Sequence, residues 1–307
     1  MFRCLFLCAL LFPALTALGA DPRPKSGISA IDSLPVNDWG SSDSSVSTFK
    51  AVALSVVIPG GGQFYSGHPV RGGFLLGLEA TLIGLSLTNY FVTVPQYDRE
   101  TRTYLDSANA EFRQRSGVPQ SNFQGWVELA RVNGLKRIEQ ADLANSELAW
   151  AIGLHFYGIT DALEIAHRSQ DTTHHEYSVK RAMWYGLAFP GGGQLYTGNY
   201  GKFGMLWMAL GASALSAWSR QNVVEALNTT ENNAISEGNL SEENELDPDL
   251  VDYRKNRNEY YWAMALLYVY GVLDGMVDAA LSDFDSPNRY AVGPGSMPLS
   301  VAAYVHF

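Results

Sequence analysis

Long apolar stretches alternate with long charged stretches along this chain. Four apolar stretches cover residues 74–94, 148–166, 203–218 and 260–281. A helix needs about 20 apolar residues to cross the hydrocarbon core of a membrane. The first and last stretches reach that length, and the middle two are somewhat shorter. The pattern predicts an all-α, polytopic membrane protein whose loops outside the bilayer are helical or disordered.

The apolar and charged pattern occurs twice. A nine-residue segment beginning at Pro59 shares seven identical positions with the segment beginning at Pro190. Each is followed by an apolar helix, a charged segment and a second apolar helix, which predicts a tandem duplication. Copy one covers residues 47–167 and copy two covers residues 168–285. The identical motif positions are Pro59, Gly60, Gly61, Gly62, Gln63, Tyr65 and Gly67, matched by Pro190, Gly191, Gly192, Gly193, Gln194, Tyr196 and Gly198.

The two charged segments differ in character. Residues 95–147 carry apolar positions at spacings typical of amphipathic helices, so this excursion is expected to be helical and outside the bilayer. Residues 221–259 are strongly acidic and poor in large apolar side chains, which predicts an acidic loop.

The number of membrane segments stays open, between four and six. Only eight apolar residues precede each proline of the motif, and proline followed by glycines ends a helix. If these eight-residue pieces are re-entrant half-helices, the chain has four spans, parallel copies and both charged segments in the cytoplasm. If they continue as kinked spans, the chain has six spans and inverted copies, as in many transporters.

The chain ends and the net charge restrict the class further. Residues 1–20 have the pattern of a cleaved signal peptide, with an uncleaved anchor as the alternative. A disordered linker is expected at residues 21–46 and a tail at residues 286–307. Both cysteines, Cys4 and Cys8, lie in the predicted signal, so the mature chain would have no thiol. The net charge of −10 argues against a nucleic-acid partner. Together these features predict an integral protein of the bacterial inner membrane.

The motif itself has two interpretations. Its glycines permit unusual backbone angles, and the amide of Gln63 and hydroxyl of Tyr65 can bond backbone groups that the turn leaves open. In one interpretation the loop binds a ligand or ion at membrane depth. In the other it is a tight turn fixed by its own side chains.

Carboxylates follow the motif in the last helix of each copy. Asp161 and Glu164 occur in copy one, and Asp274 and Asp278 occur in copy two, each pair beside small residues spaced every four positions. Such spacing lets helices approach closely in lipid, so these two helices are expected to pack together and bring the acids to one interface. The acids would then form an ion or proton site. Alternatively they lie near the membrane surface or pair with Tyr157, Tyr270 or a nearby arginine.

Two further polar residues stand in the apolar helices of copy one. Glu79 is the single acid of its apolar stretch, and His155 precedes Asp161. A metal site of His155 with Asp161 and Glu164 has weak support, because copy two has Tyr268 at the position equivalent to His155. No metal, cofactor or catalytic residue is expected.

The motif together with the last helix of copy two resembles a bacterial membrane-protein family of unknown function. That family is marked by a PG-x-GQ-x-Y-x-G hairpin, a YR-x-x-R segment and an acidic final helix, and the hairpin is similar to that of two-helix transmembrane-domain proteins. The resemblance covers residues 180–285 well and residues 47–167 as a diverged copy. It assigns Tyr253, Arg254 and Arg257 to the basic segment, and Asp274, Asp278 and Asp285 to the acidic helix end.

These features favour a non-enzymatic membrane protein that acts as an envelope scaffold or binds a protein partner, with membrane lipid around it. The alternative is a small transporter or channel that uses the paired carboxylates. The oligomeric state is not predicted.

Overall fold

The computed structural model of the chain describes residues 46–114, 121–170, 175–236 and 248–282, which are helical apart from short turns. The predicted all-α class is therefore confirmed for these residues. The predicted signal peptide, all but one residue of the linker, the C-terminal tail and Asp285 lie outside them.

In the described residues, five helices and one π-helical segment cover copy one, and four helices belong to copy two. In chain order the helices are α1 (Thr48–Val57), α2 (Gly61–Tyr65), α3 (Pro69–Thr88), the π segment (Asn89–Thr93), α4 (Val94–Gln114), α5 (Ser121–Gln170), α6 (Val179–Ala188), α7 (Gly192–Tyr196), α8 (Tyr200–Ser236) and α9 (Pro248–Leu281). The order of a ten-residue helix, a five-residue helix and a long helix is the same in both copies.

The short helix α1 lies alongside the C-terminal part of α5 and does not extend to the N-terminal end of α5. The side chain of Gln170, at the end of α5, donates to the carbonyl of Val46, whereas His155 contacts the carbonyl of Val56. Helix α1 is thus antiparallel to α5. The chain turns after Ile58, returns through α2, and then runs antiparallel to α5 again as α3. Ten residues rise only about 15 Å, which is half of a membrane core.

Helix α8 joins the two copies. It packs antiparallel to α5 along most of its length and against α9 on another side. Arg220 and Ser219 of α8 contact Asp142 and Asn145 of α5, while Lys202 contacts α9. The described parts of both charged segments therefore lie at the same end of the molecule.

We call that end the stalk, and we call the rest of the molecule, which contains the four apolar stretches, the apolar part. The helices of the stalk continue without a break from the apolar part. The stalk contains α4, the first half of α5, the second half of α8 and the start of α9. The stacked rings of Tyr104 and Trp126 pin α4 to α5, and Arg254 donates to Asn228 between α9 and α8.

The acidic segment differs from the expected loop. Residues 221–236 complete α8 and residues 248–259 begin α9, so the prediction of a loop over 221–259 is wrong for both of these ranges. Apolar residues such as Val224 and Leu250 are buried there against other helices, and this packing stabilises helices that composition alone does not favour.

The apolar part carries its large hydrophobic side chains on the outside. On α9, Trp262, Leu266, Val269, Leu273 and Val277 form one exposed stripe. The buried positions of the same part are mostly small or polar, such as alanines, serines and the motif glutamines. Two helices, Pro69–Arg113 and Leu250–Leu281, are long and apolar enough to cross a membrane by length and composition.

Candidate functional site

Each copy contains one cluster in which the motif glutamine meets an aspartate and a basic residue. In copy one, Gln63 Nε2 donates to the Gly158 carbonyl at 2.8 Å and to Asp161 Oδ2 at 2.9 Å. The guanidinium of Arg71 donates to the other oxygen of Asp161. Asp161 is 1% exposed, and its carboxylate is the centre of the cluster.

Copy two repeats this geometry with a lysine in place of the arginine. Gln194 Nε2 donates to the Gly271 carbonyl at 2.8 Å and to Asp274 Oδ2 at 3.1 Å. Lys202 Nζ lies 3.2 Å from Asp274 Oδ1. Lys202 occupies the same place in α8 that Arg71 occupies in α3.

Glycines set the close approach on which the clusters depend. Gly60 and Gly191 adopt left-handed angles, with φ of 74° and 83°, and these turn the chain into the five-residue helix. A Cβ on Gly62 would lie 2.3 Å from the Ala51 carbonyl and 2.6 Å from the Ala162 side chain. The glutamine reaches α5 only because this position has no side chain.

The tyrosine of each motif contacts the backbone at the start of the ten-residue helix that precedes the turn. The Tyr65 hydroxyl accepts from the Ser47 amide at 3.4 Å, and the Tyr196 hydroxyl accepts from the Ser178 amide at 3.2 Å. These amides stand at the starts of α1 and α6, where helix donors lack internal partners. The motif therefore binds its own preceding helix as well as the last helix of its copy.

The other two predicted acids hold the start of α8. The Glu164 carboxylate accepts from the Gly201 amide in the first turn of α8 and pairs with Arg168 at 2.7 Å. Asp278 accepts from Asn199 at 2.8 Å and from Lys202 at 2.6 Å. A carboxylate at a helix N-terminus is stabilising because the backbone amides there carry partial positive charge.

The expected meeting of the two acidic helices is not observed. Helices α5 and α9 do not pack along each other, because α8 lies between them and contacts both. The small residues serve a different contact: Gly275 faces Gly193 and Ala162 faces Gly62, so each helix receives the motif of its own copy. Asp161 and Asp274 consequently belong to separate clusters.

The sequence predicted the acids and, as one alternative, a nearby arginine as their partner, but it did not identify which residues pair with them. His155 contacts Glu79 rather than Asp161 or Glu164, with Nδ1 3.0 Å from Glu79 Oε1. Arg71 and Lys202 also went unassigned, although both stand eight residues after a motif glutamine and supply the same charge. That matched spacing was the signal available in the sequence.

A further buried pair links the copies in the stalk. Arg220 Nε lies 3.1 Å from Asp142 Oδ2, and both side chains are largely buried. Burial raises the pKa of Asp142, and the positive charge of Arg220 only partly opposes this. Beside the pair is a groove of about 480 Å³ between α5, α8 and α9, whose lining includes Arg131, Lys136 and Asp252.

The comparisons with known proteins bear mainly on copy two. Residues 175–298 match the model of a family of unknown function, DUF5683. This confirms in part the predicted resemblance to a family without an assigned activity. Among curated proteins and solved structures, nothing matches the chain.

Proposed function

We propose that this chain is a non-catalytic membrane protein that holds a helical stalk outside the bilayer and presents it to a protein partner in the bacterial envelope. The observation that carries the membrane part is the outward apolar surface of the helices. In a soluble protein such a continuous exposed surface is rare, whereas lipid is its ordinary environment.

A group of exposed aromatic side chains supports the same proposal. Tyr90, Trp218, Tyr261 and Trp262 lie at one level, since Asn89 contacts Glu147 in α5 while Arg220 of α8 stacks over Tyr260. Tyrosine and tryptophan are enriched where a membrane meets water. We place the stalk-side boundary of the bilayer at this level.

The proposed architecture has four spans and two re-entrant half-helices. The spans are α3, the second half of α5, the first half of α8, and the part of α9 after residue 259. Helices α5 and α8 have lower hydropathy because they face each other through small and polar residues, among them Ser146, Thr160 and Ser216, rather than facing lipid. We retain the predicted tandem duplication as part of this proposal.

The acid clusters support a scaffold better than a transporter. The Asp161 carboxylate is bound by Gln63 and Arg71, so both of its oxygens have partners within its own copy. Asp274 and Asp278 share Lys202 in the same way. These clusters also lie within about two turns of the ends of α3 and α8, near the surface opposite the stalk. Their contacts fix helices to one another.

Topology is tested with single cysteines in a chain whose Cys4 and Cys8 are replaced by serine. Thr103→Cys on α4 and Thr229→Cys on α8 are matched, because both threonines are exposed on the two charged excursions. We expect a membrane-impermeant maleimide to label both from the same side of the membrane, and Ser178→Cys from the other side. Labelling of the first two from opposite sides would overturn the parallel four-span arrangement.

The scaffold function is tested by photo-crosslinking in living cells. A photoreactive amino acid at Lys136, on the rim of the stalk groove, should give one defined protein adduct, whereas the same residue at Leu87, on the lipid-facing side of α3, should give none. Complementation of a deletion strain separates the alternatives. Loss of function in Lys136→Glu with retention in Asp274→Asn supports the scaffold, and the reverse result supports the transporter; Asp274 is used because its partner Lys202 is half exposed and the substitution costs little stability.

A further inference from the structure

Buried Glu79 and partly exposed His155 form a polar pair halfway along the apolar part of copy one. Glu79 is the eleventh residue of the twenty in α3 and is 6% exposed. His155 Nδ1 lies 3.0 Å from Glu79 Oε1, and Nε2 lies 3.2 Å from the carbonyl oxygen of Val56. Three elements, α1, α3 and α5, therefore meet at one imidazole ring.

The two contacts of the imidazole ring together need two hydrogens. A carbonyl oxygen only accepts, so the contact with Val56 is a hydrogen bond when His155 Nε2 carries the hydrogen. The contact between Nδ1 and the carboxyl group also needs a hydrogen, placed either on Nδ1 or on Glu79. In both forms the pair holds one proton more than a neutral imidazole beside an ionised carboxylate. Without that proton, the lone pair of Nδ1 would face a negative oxygen.

Copy two shows that the fold needs no proton at this point. There the Tyr268 hydroxyl donates to the Leu187 carbonyl at 2.7 Å, in the place of the contact between His155 and Val56. The residue equivalent to Glu79 is Leu210. Both rings hold the carbonyl end of a short helix, but only copy one does so with a titratable pair.

The surroundings isolate the pair from other charges and open it toward the apolar exterior. Within the described residues, Arg71 of α3 and Asp161 of α5 are bound to each other about two turns away, and Lys50 is at the opposite end of α1. A cleft of about 260 Å³ lies against Glu79 and His155, and its other lining residues are Ile83, Leu148, Ala151 and Ile152. Leu148 and Ile152 are exposed on the outer surface.

We propose that Glu79 and His155 form an intramembrane proton-binding site that is reached from the lipid phase. The site rests on the membrane embedding proposed above, since that embedding makes the cleft face acyl chains. Its ligand is a single proton, shared between the imidazole and the carboxyl group. The proton joins α3 to α5 and keeps His155 in place on the end of α1.

Dicyclohexylcarbodiimide, an apolar reagent for protonated carboxyl groups, tests the site in vesicles of phosphatidylethanolamine and phosphatidylglycerol. The carboxyl proton passes to one nitrogen of the reagent, the carboxyl oxygen bonds to its central carbon, and transfer of the acyl group to nitrogen leaves a stable acylurea. We expect mass spectrometry to find the adduct on Glu79, with labelling lost at high pH. The ion-paired Asp161 and Asp274 are internal controls and should stay unmodified.

The matched variant E79L/H155Y gives copy one the residues of copy two. It should keep the contact with Val56, fold normally and lose the adduct. A folded wild-type chain with no adduct on Glu79 at any pH would overturn the proposal. Equal labelling by a water-soluble carbodiimide would overturn access from lipid. If that result came with the expected cysteine labelling, only this site would fail, whereas failure of both experiments would reject the membrane embedding as well.

Discussion

The two copies keep one set of contacts and differ in another. Both retain the bonds from the motif glutamine to a glycine carbonyl and an aspartate, and both retain a basic residue on that aspartate. The shared set connects a short helix, a long helix and a final helix within one copy. The repeated motif therefore specifies this shared set of contacts.

The differences lie in burial and in titratable groups. Asp161 is almost completely buried with Arg71, whereas Lys202 of the second cluster is 44% exposed. Copy one also has Glu79 with His155 where copy two has Leu210 and Tyr268. Copy one thus buries charged groups, whereas copy two either leaves the equivalent groups near water or lacks them. Substitutions at equivalent positions should therefore change the unfolding free energy by unequal amounts.

The largest difference is expected for the two central aspartates. Asp161→Asn leaves the buried guanidinium of Arg71 without a counter-charge, which should cost about 3–5 kcal/mol of unfolding free energy. Asp274→Asn should cost about 1 kcal/mol, because Lys202 is half exposed and keeps its bond to Asp278. Unfolding of the purified chain in detergent, followed by tryptophan fluorescence, measures both. Equal losses would show that burial does not distinguish the clusters.

The next difference concerns the third glycine of each motif. Gly62→Ala should cost about 3 kcal/mol, since the new methyl group would meet backbone and side-chain atoms at 2.3–2.6 Å. Gly193→Ala should cost about 1 kcal/mol, because its nearest atoms are at 3.1 Å and need only a small shift. Gly77→Ala is the control, as nothing lies within 4 Å of its Cβ. Thermal unfolding of the three variants in detergent compares them, and a G62A variant as stable as G77A would contradict the packing.

Much of the helical class could be predicted from the sequence because it depends on local pattern. The long apolar stretches and the proline and glycine turns correspond to helices and breaks in the described residues. Local pattern failed at residues 221–236 and 248–259, where packing among α5, α8 and α9 stabilises helix in an acidic segment.

The clusters could be predicted only in part, because their members are far apart in the chain. Gln63 and Asp161 are separated by 98 positions, and a single sequence gives no pairing over that distance. The small-residue spacing correctly predicted that another segment packs closely against the last helix of each copy, but it did not predict which segment. A glycine-rich motif and a second helix can both pack against a row of small residues.

A smaller difference is expected at Ser55, whose equivalent in copy two is Gly186. The Ser55 hydroxyl accepts from the Gly62 amide at 3.0 Å and lies 3.4 Å from Gln63 Oε1. Ser55→Ala leaves the buried amide without this acceptor and should cost about 1–2 kcal/mol. Copy two lacks this hydroxyl, and Gln194 Oε1 is buried without a bond. Denaturant titration of Ser55→Ala beside the control Ser107→Ala, whose hydroxyl bonds only a carbonyl of its own helix, checks the value, and identical midpoints would contradict it.

The smallest effect concerns the pH dependence of stability that arises at the contact between Asp142 of α5 and Arg220 of α8. Burial raises the pKa of Asp142 in the folded chain above its value in the unfolded chain, so the folded state binds the proton more strongly. The resulting stability is fully present below the unfolded pKa and is lost as pH rises through the raised one. Asp142→Asn should remove this dependence, because an amide does not titrate.

Thermal unfolding in detergent between pH 3 and pH 8 provides the measurement, with the difference between wild type and Asp142→Asn plotted against pH. Asp98→Asn, which removes a carboxylate from the exposed pair with Arg102, controls for the change in net charge. The wild type should lose stability relative to Asp142→Asn as pH rises. A relative gain would mean that Arg220 outweighs burial, and the joint between the copies would then be an ion pair that stabilises the fold at neutral pH.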